Sequence, residues 1–266
     1  PTCANAPSAK FQISGTSEMD FDIMRGGFSM DRVLLLAPLG SALKINDCNT
    51  LSFGMRYEGT WLNSDTVIGD NDLHDLRVAA TWMHCTSGSK WSFMAEVSPG
   101  VASDFAQIDG DDFSLNWLAG ARYAVNDGFA LIAGVGSDNT TGDDGVFPAI
   151  GFQWQASDDV YLSLVGATFT ATYQSSEDWL WRFGVWAAGG IWNVEENNTS
   201  FDVNLMSYRA AIGVEHRLRD KVWLTLWAGT TFANELEIET AGGGRVFQSD
   251  ADSGWFARVG LRVAAW

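Results

Sequence analysis

The chain has 266 residues, a formal net charge of −17, 13 tryptophans, 28 glycines and only 5 prolines. Phosphate backbones would repel such a charge, so nucleic acid is excluded as a partner. No run approaches the ~18 apolar residues of a membrane-crossing helix, since the longest candidate, 33–39, is short and contains Pro38; a helical membrane protein is excluded as well.

Residues 1–10, PTCANAPSAK, read as a flexible tail, and residues 11–266 as one domain. Strands are predicted at 11–23, 28–44, 49–62, 72–85, 90–102, 112–124, 128–137, 146–156, 159–165, 167–173, 178–193, 200–218, 221–237 and 251–266. The clearest is NTLSFGMRYEGTW, from Asn49 to Trp61. Leu51, Phe53, Met55, Tyr57, Gly59 and Trp61 occupy alternate positions, and Ser52, Gly54, Arg56, Glu58 and Thr60 the others. Successive side chains of a strand point to opposite faces, so this segment has one oily and one polar face. Its length suits a tilted strand crossing hydrocarbon, which takes roughly 9–11 residues. Such alternation also explains how a 46% hydrophobic chain has a mean hydropathy of −0.03.

The connections are of two kinds. Short turns such as KINDCN (44–49), CTSGSK (85–90) and YAVNDGF (123–129) carry the Asn, Asp and Gly of tight turns. Longer, acidic connections fall at 62–72, 103–111, 137–145, 193–199 and 238–250, and the segment EIETAGGGRVFQ (237–248) is expected to be the longest loop. Short turns inside and long loops outside describe a transmembrane antiparallel up-and-down β-barrel, all-β in class. The parity gives an even number, 12–14 strands, with both termini in the periplasm. Fourteen requires the weakly alternating pair 159–165 and 167–173, with Gly166 between them, to cross. Aromatics fall at strand ends, as two interfacial belts require: Trp82, Trp91, Tyr123, Phe129, Trp154, Trp179, Trp181 and Trp223 beside short turns; Trp61, Phe113, Trp192, Phe201 and Trp255 beside long loops.

The segments LHDLRVAATW (73–82), KWSFMAEVSPGVASDF (90–105), VFPAIGFQWQASDDVYLSL (146–164) and YQSSEDW (173–179) carry a resemblance. With them, the chain resembles a family of Gram-negative outer-membrane β-barrels, porin-like, of unassigned function. The resemblance implies fold and location in the outer membrane, and no activity. The final Trp266 is similar to the terminal aromatic read by the barrel-assembly machinery. It is out of phase with Trp255, Ala257, Val259, Leu261 and Val263, which calls for a bulge near 264–265.

With apolar faces to lipid, the lumen receives Arg56, Glu58, Arg77, Glu96, Arg122, Arg182, Arg209, Glu215, Arg258 and Arg262. A charge facing mid-bilayer lipid costs about 2–4 kcal/mol, so inward placement follows from energetics. Two readings are open: a structural ion-pair network filling the lumen, or an Arg-lined constriction in a passive pore for small solutes, anionic ones among the candidates. The alternative to a pore is a non-conducting barrel that anchors or organises other envelope proteins. Inward Gly54, Ala79, Gly120, Gly134, Gly184 and Gly213 would leave space or permit sharp strand bending.

Cys48 and Cys85 are expected at one periplasmic rim on neighbouring strands, where an oxidising compartment favours a disulfide; free thiols, or pairing of one of them with Cys3 in the tail, are the alternatives. The acidic loops point to solvation, or to divalent cations bridging lipopolysaccharide, which with outer-membrane lipid is the expected surrounding. Self-association is compatible with exposed aromatics. His74, among Asp70, Asp72 and Asp75 at the outer rim, is the remote candidate for a hydrolase. No catalytic, metal or cofactor motif is present, and GGG with Arg245 lacks the elements of a phosphate loop.

Overall fold

The structure, a computed structural model, describes residues 8–139, 142, 145–197, 199–240 and 242–263. In chain order the strand segments are β1 (Ala9–Thr16), β2 (Met19–Asp20), β3 (Gly27–Pro38), β4 (Leu43–Lys44), β5 (Asn49–Ser64), β6 (Asn71–Cys85) and β7 (Trp91–Ser103). Then come β8 (Phe113–Ala124), β9 (Phe129–Ser137), β10 (Val146–Pro148), β11 (Gly151–Gln155), β12 (Val160–Val165) and β13 (Thr168–Ser176). Last are β14 (Trp179–Ala187), β15 (Gly190–Glu196), β16 (Thr199–Arg219), β17 (Val222–Thr240), β18 (Arg245–Ala251) and β19 (Trp255–Val263).

Fourteen of these positions make a closed antiparallel wall, β10 and β11 sharing one of them. It runs β1, β3, β5, β6, β7, β8, β9, β10 with β11, β12, β13, β14, β16, β17, β19, and closes where Ile13 meets Val259 across β1 and β19. Closure removes every sheet edge from the wall, which is the condition for strands to lie in hydrocarbon. The alternation sets the faces. Phe53, Trp61, Val78, Phe93, Leu131, Phe183, Ile212 and Leu261 stand exposed on the outside, while Glu58, Arg77, Arg209 and Glu215 are buried inside.

The weakly alternating pair does cross. β12 and β13 pair along their whole length and turn at Gly166, whose φ of +55° suits a residue without a side chain. Fourteen strands, not twelve, is the outcome. β1 begins at Ala9, two residues inside the expected tail. Residues 264–266, with the expected bulge and Trp266, lie outside the described residues.

The wall is uneven. β12 has 6 residues and β16 has 21. The tall part bends, because four adjacent strand positions break at one level: Ala188–Gly189 between β14 and β15, the irregularity at Ser207 in β16, Ala233–Asn234 in β17, and 252–254 between β18 and β19. Above this corner β15, β16, β17 and β18 continue as a four-stranded sheet. Its far edge reaches the opposite wall, where Asn193 of β15 pairs in parallel with Ser103 of β7 and the Asp104 N–H donates to the Asn193 carbonyl at 3.2 Å.

This sheet is a cap. Its inner face carries Trp192, Val194, Phe201, Val203, Leu205, Leu236 and Ile238. They pack on Met19, Phe21, Phe28, Met30, Leu62, Ile68, Leu73 and Ala102, making one dry core at the outer mouth. Two expectations are corrected here. Residues 238–240 end β17 and 245–250 belong to β18, so the expected long loop is mostly strand, and Trp192 and Phe201 are cap core, not interfacial belt. The driving force is ordinary: fully burying a large apolar side chain contributes about 1.5–3 kcal/mol.

Candidate functional site

Beneath the cap lies the inner face of the wall, where register gathers charge from distant strands. Arg32 and Arg56 share Glu58: Arg32 Nη1 donates to Oε1 at 3.0 Å and Arg56 Nη2 to Oε2 at 2.7 Å. Arg77 is fully buried against Asp75 at 2.8 Å and donates to Ser114 Oγ at 2.8 Å. Nearer the periplasmic end Glu215 takes Arg182 at 3.1 Å and Arg262 at 2.7 Å. Arg122 Nε donates to Gln153 Oε1 at 3.0 Å, and Thr81 Oγ1 donates to Glu96 Oε2 at 2.7 Å. A carboxylate shared by two guanidinium groups is well matched by their planar forks.

Of the ten charged residues read from the sequence, Glu58, Arg77, Arg209 and Glu215 are buried and the other six half-buried, and their contacts fall in several separate groups rather than one ring. Three further inward groups escaped the reading: Lys10, Arg32 and Asp75. So did the inward aromatics. Arg209 lies 4.8 Å from the Phe256 ring, Arg258 lies 4.9 Å from Trp186, and Arg262 lies 5.3 Å from Trp223. Trp223 is thus an inward platform, not a belt residue. Glycine makes room for these rings: a Cβ on Gly213 would collide with the Trp227 ring, so the inward Gly213 is a filled position and not free space. Stacking of a guanidinium on a ring contributes about 0.5–2 kcal/mol, the upper end when desolvated.

The charge sums unevenly. Around Glu58 lie Arg32 and Arg56, with Arg209 also in its field, while Glu58 in turn acts on Arg209 and Arg258. Positive charge exceeds negative there. At the outer face the sign reverses. A cavity of about 940 Å³ between the cap and the outer ends of β8 and β9 is walled by Asp111, Asp112, Asp202, Glu235, Glu237 and Glu239. Among the described residues no three His, Cys, Asp or Glu come together in a way that could hold a metal ion.

The expected Cys48–Cys85 disulfide is overturned: Cys48 is a free thiol. The two strands are neighbours as expected, and the Cys85 N–H donates to the Cys48 carbonyl at 2.9 Å. The Cys85 sulfur is itself disulfide-bonded, so it is not available to Cys48. Cys85 is engaged elsewhere, and Cys3, the alternative, lies outside the described residues. His74 is held between Tyr57, whose hydroxyl lies 3.0 Å from Nδ1, and Phe105, stacked at 4.9 Å. No hydrogen bond joins its ring to a serine or a carboxylate among the described residues.

A closed wall of fourteen antiparallel strands, apolar outside and ion-paired inside, defines a transmembrane β-barrel of the outer-membrane type. The chain belongs to the family described as a domain of unknown function (DUF6268), whose profile matches residues 63–264. No curated protein sequence matches it. Among solved structures it is similar to the COG4313 outer membrane channel from Pseudomonas putida F1, at 11% identity and a TM-score of 0.52 over 99% of this chain and 96% of that one. It is also similar to a Pseudomonas aeruginosa FadL homologue (12% identity, TM-score 0.48, 97% of this chain and 88% of that one). A third is KdgM porin (10% identity, TM-score 0.42, 98% of this chain and 100% of that one). At these identities the likeness is one of fold, and the first of the three carries it.

Proposed function

We propose that the chain is a passive pore in the outer membrane of a Gram-negative bacterium, for small solutes, with a lumen field that favours anions. The observation that carries this reading is the surplus of inward guanidinium groups over carboxylates in a low-dielectric interior, where fixed charge acts strongly on a passing ion. The route runs along the low side of the wall. There Gln153, Ser163, Thr170 and Thr172 line the inner face and are only half-buried, whereas Glu58, Asp75, Arg77, Arg209 and Glu215 on β5, β6 and β16 are buried. Lipid and lipopolysaccharide surround the wall in this reading, and its exposed aromatics leave room for self-association or other envelope partners.

A second reading has its own observation. The dry core under the cap favours a barrel closed at its outer mouth, which would anchor or organise other envelope proteins without conducting. Reconstitution into planar bilayers separates the two. Discrete conductance steps with a reversal potential shifted toward the anion's support the pore. A silent membrane with correctly inserted barrels supports the closed form and ends the pore reading.

A further inference from the structure

Among the described residues most inward arginines have a polar partner, as described above, but Arg209 and Arg258 do not. Arg209 is 2% exposed, and its Nε and Nη2 have no hydrogen-bond partner. Neither residue forms an ion pair among the described residues, and both oxygens of the nearby Glu58 are already taken by Arg32 and Arg56. An isolated buried charge is strongly disfavoured. Most of that cost disappears when an anion is present.

The two guanidinium groups are also presented in the same way. Arg209 lies over Phe256 and Arg258 over Trp186, and the two rings meet edge to face with centroids 5.9 Å apart. Stacking consumes the flat faces of the guanidinium groups and leaves their in-plane N–H forks free. A fork of that kind takes two oxygens borne on one atom, as in a carboxylate or a phosphate.

We infer that Arg209 and Arg258, held on the Phe256–Trp186 pair, form a binding site in the lumen for the oxyanion group of a solute. The solute's route to it rests on the pore reading; the site itself does not. It lies just inside the corner, where Arg209 pairs with Thr231 and Phe256 with Gly229.

The test is a calorimetric titration of the purified, detergent-solubilised barrel with acetate and, separately, inorganic phosphate, at constant ionic strength in chloride. Saturable binding of at least one is expected. Arg209→Gln and Arg258→Gln should each weaken it tenfold or more, and Arg209→Lys, which keeps the charge without the fork, should weaken it as well. Phosphate binding without acetate binding assigns the site to phosphate, and binding of both assigns it to carboxylates too. Heat-modifiable gel migration checks that each variant is folded. Should a variant fail to fold, the wild type provides a second readout, since its thermal midpoint should rise with the same anion. Absence of saturable binding to the wild type, or variant affinities within twofold of it, would overturn the site. A barrel that binds but does not conduct sinks the pore and leaves the site; one that conducts without saturable binding sinks the site alone.

Discussion

Asn193 at the free edge of β15 stands in register with Ser103 of β7, six wall positions from β14, the strand that β15 extends. The contact is sealed twice more, by the Asp104 N–H on the Asn193 carbonyl and by the Glu195 N–H on Asp104 Oδ2 at 3.0 Å. A tall section of wall has therefore folded across the mouth and docked on the opposite side. This geometry makes the cap, rather than the wall, the element that decides access to the lumen.

The corner should behave as a hinge held by one asparagine. Asn234 is 2% exposed; Ser207 Oγ donates to its Oδ1 at 2.8 Å, and its Nδ2 donates to Thr231 Oγ1 at 3.1 Å and to the Asp252 carbonyl at 2.8 Å. Asn234→Ala leaves buried groups unpaired, each costing about 1–3 kcal/mol. The loss should appear locally, as faster hydrogen exchange in 190–196 and 245–251 with unchanged exchange in β5 and β6. Uniform acceleration over the whole barrel would mean the corner is not a hinge.

Trp192 should report on the cap core. It is 3% exposed, packs among cap and wall residues, and has Arg32 5.9 Å from its ring. Truncating such a residue costs about 3–5 kcal/mol through lost burial and the cavity left behind. The wall has its own hydrogen-bond ladder, so Trp192→Ala should still insert into membranes, with single-channel conductance above that of the wild type. Equal conductance would place the conduction path away from the cap.

The wall was legible in the sequence because lipid outside and charge inside give the period-two pattern a single meaning. The β5 alternation and the inward phase of Arg209, Glu215, Arg258 and Arg262 came from it directly. The cap was not read, because Phe201, Val203 and Leu205 alternate as a lipid-facing strand does. One signal could have exposed it: these residues share the odd parity of Arg209 and Glu215, so they point inward and must meet protein. The aromatic platforms were missed for a related reason. Trp223, beside a short turn, was assigned to a belt, and Trp186 and Trp227 were given no role, whereas all three have inward parity and face arginine or glycine. The Cys48–Cys85 pairing failed on a detail that spacing does not carry, namely that the Cys85 sulfur is taken by another partner.

Glu215 should be the costliest single charge to remove. It is 3% exposed and neutralises two guanidinium groups at once, from β14 and from β19. Removing one partner of a buried ion pair costs about 3–5 kcal/mol, because the remaining charge is left uncompensated. Glu215→Gln should lower the denaturant midpoint in lipid or detergent, and Arg262→Met in that background should restore part of it. A double variant no better than the single would show that solvent, not Glu215, screens these arginines.

Opposite charge in series predicts an asymmetric current. An ion arriving from outside first meets the cavity walled by Asp111, Asp202, Glu235, Glu237 and Glu239, and then the cationic groups around Arg209 and Arg258. One polarity fills both zones with their counterions and the other empties them, so conductance should differ between equal positive and negative voltages. The effect depends on unscreened charge. It should be marked at 0.1 M salt, where the Debye length is about 10 Å, and should fade at 1 M, where it is about 3 Å. Replacing Glu235, Glu237 and Glu239 with glutamine should flatten the curve at low salt while leaving inward pairing intact, since none of the three contacts the lumen arginines; Glu237 pairs instead with Arg245 and Glu235 with Gln248. A symmetric curve in the wild type at 0.1 M would show that permeant ions bypass the acidic cavity and enter along another side of the cap.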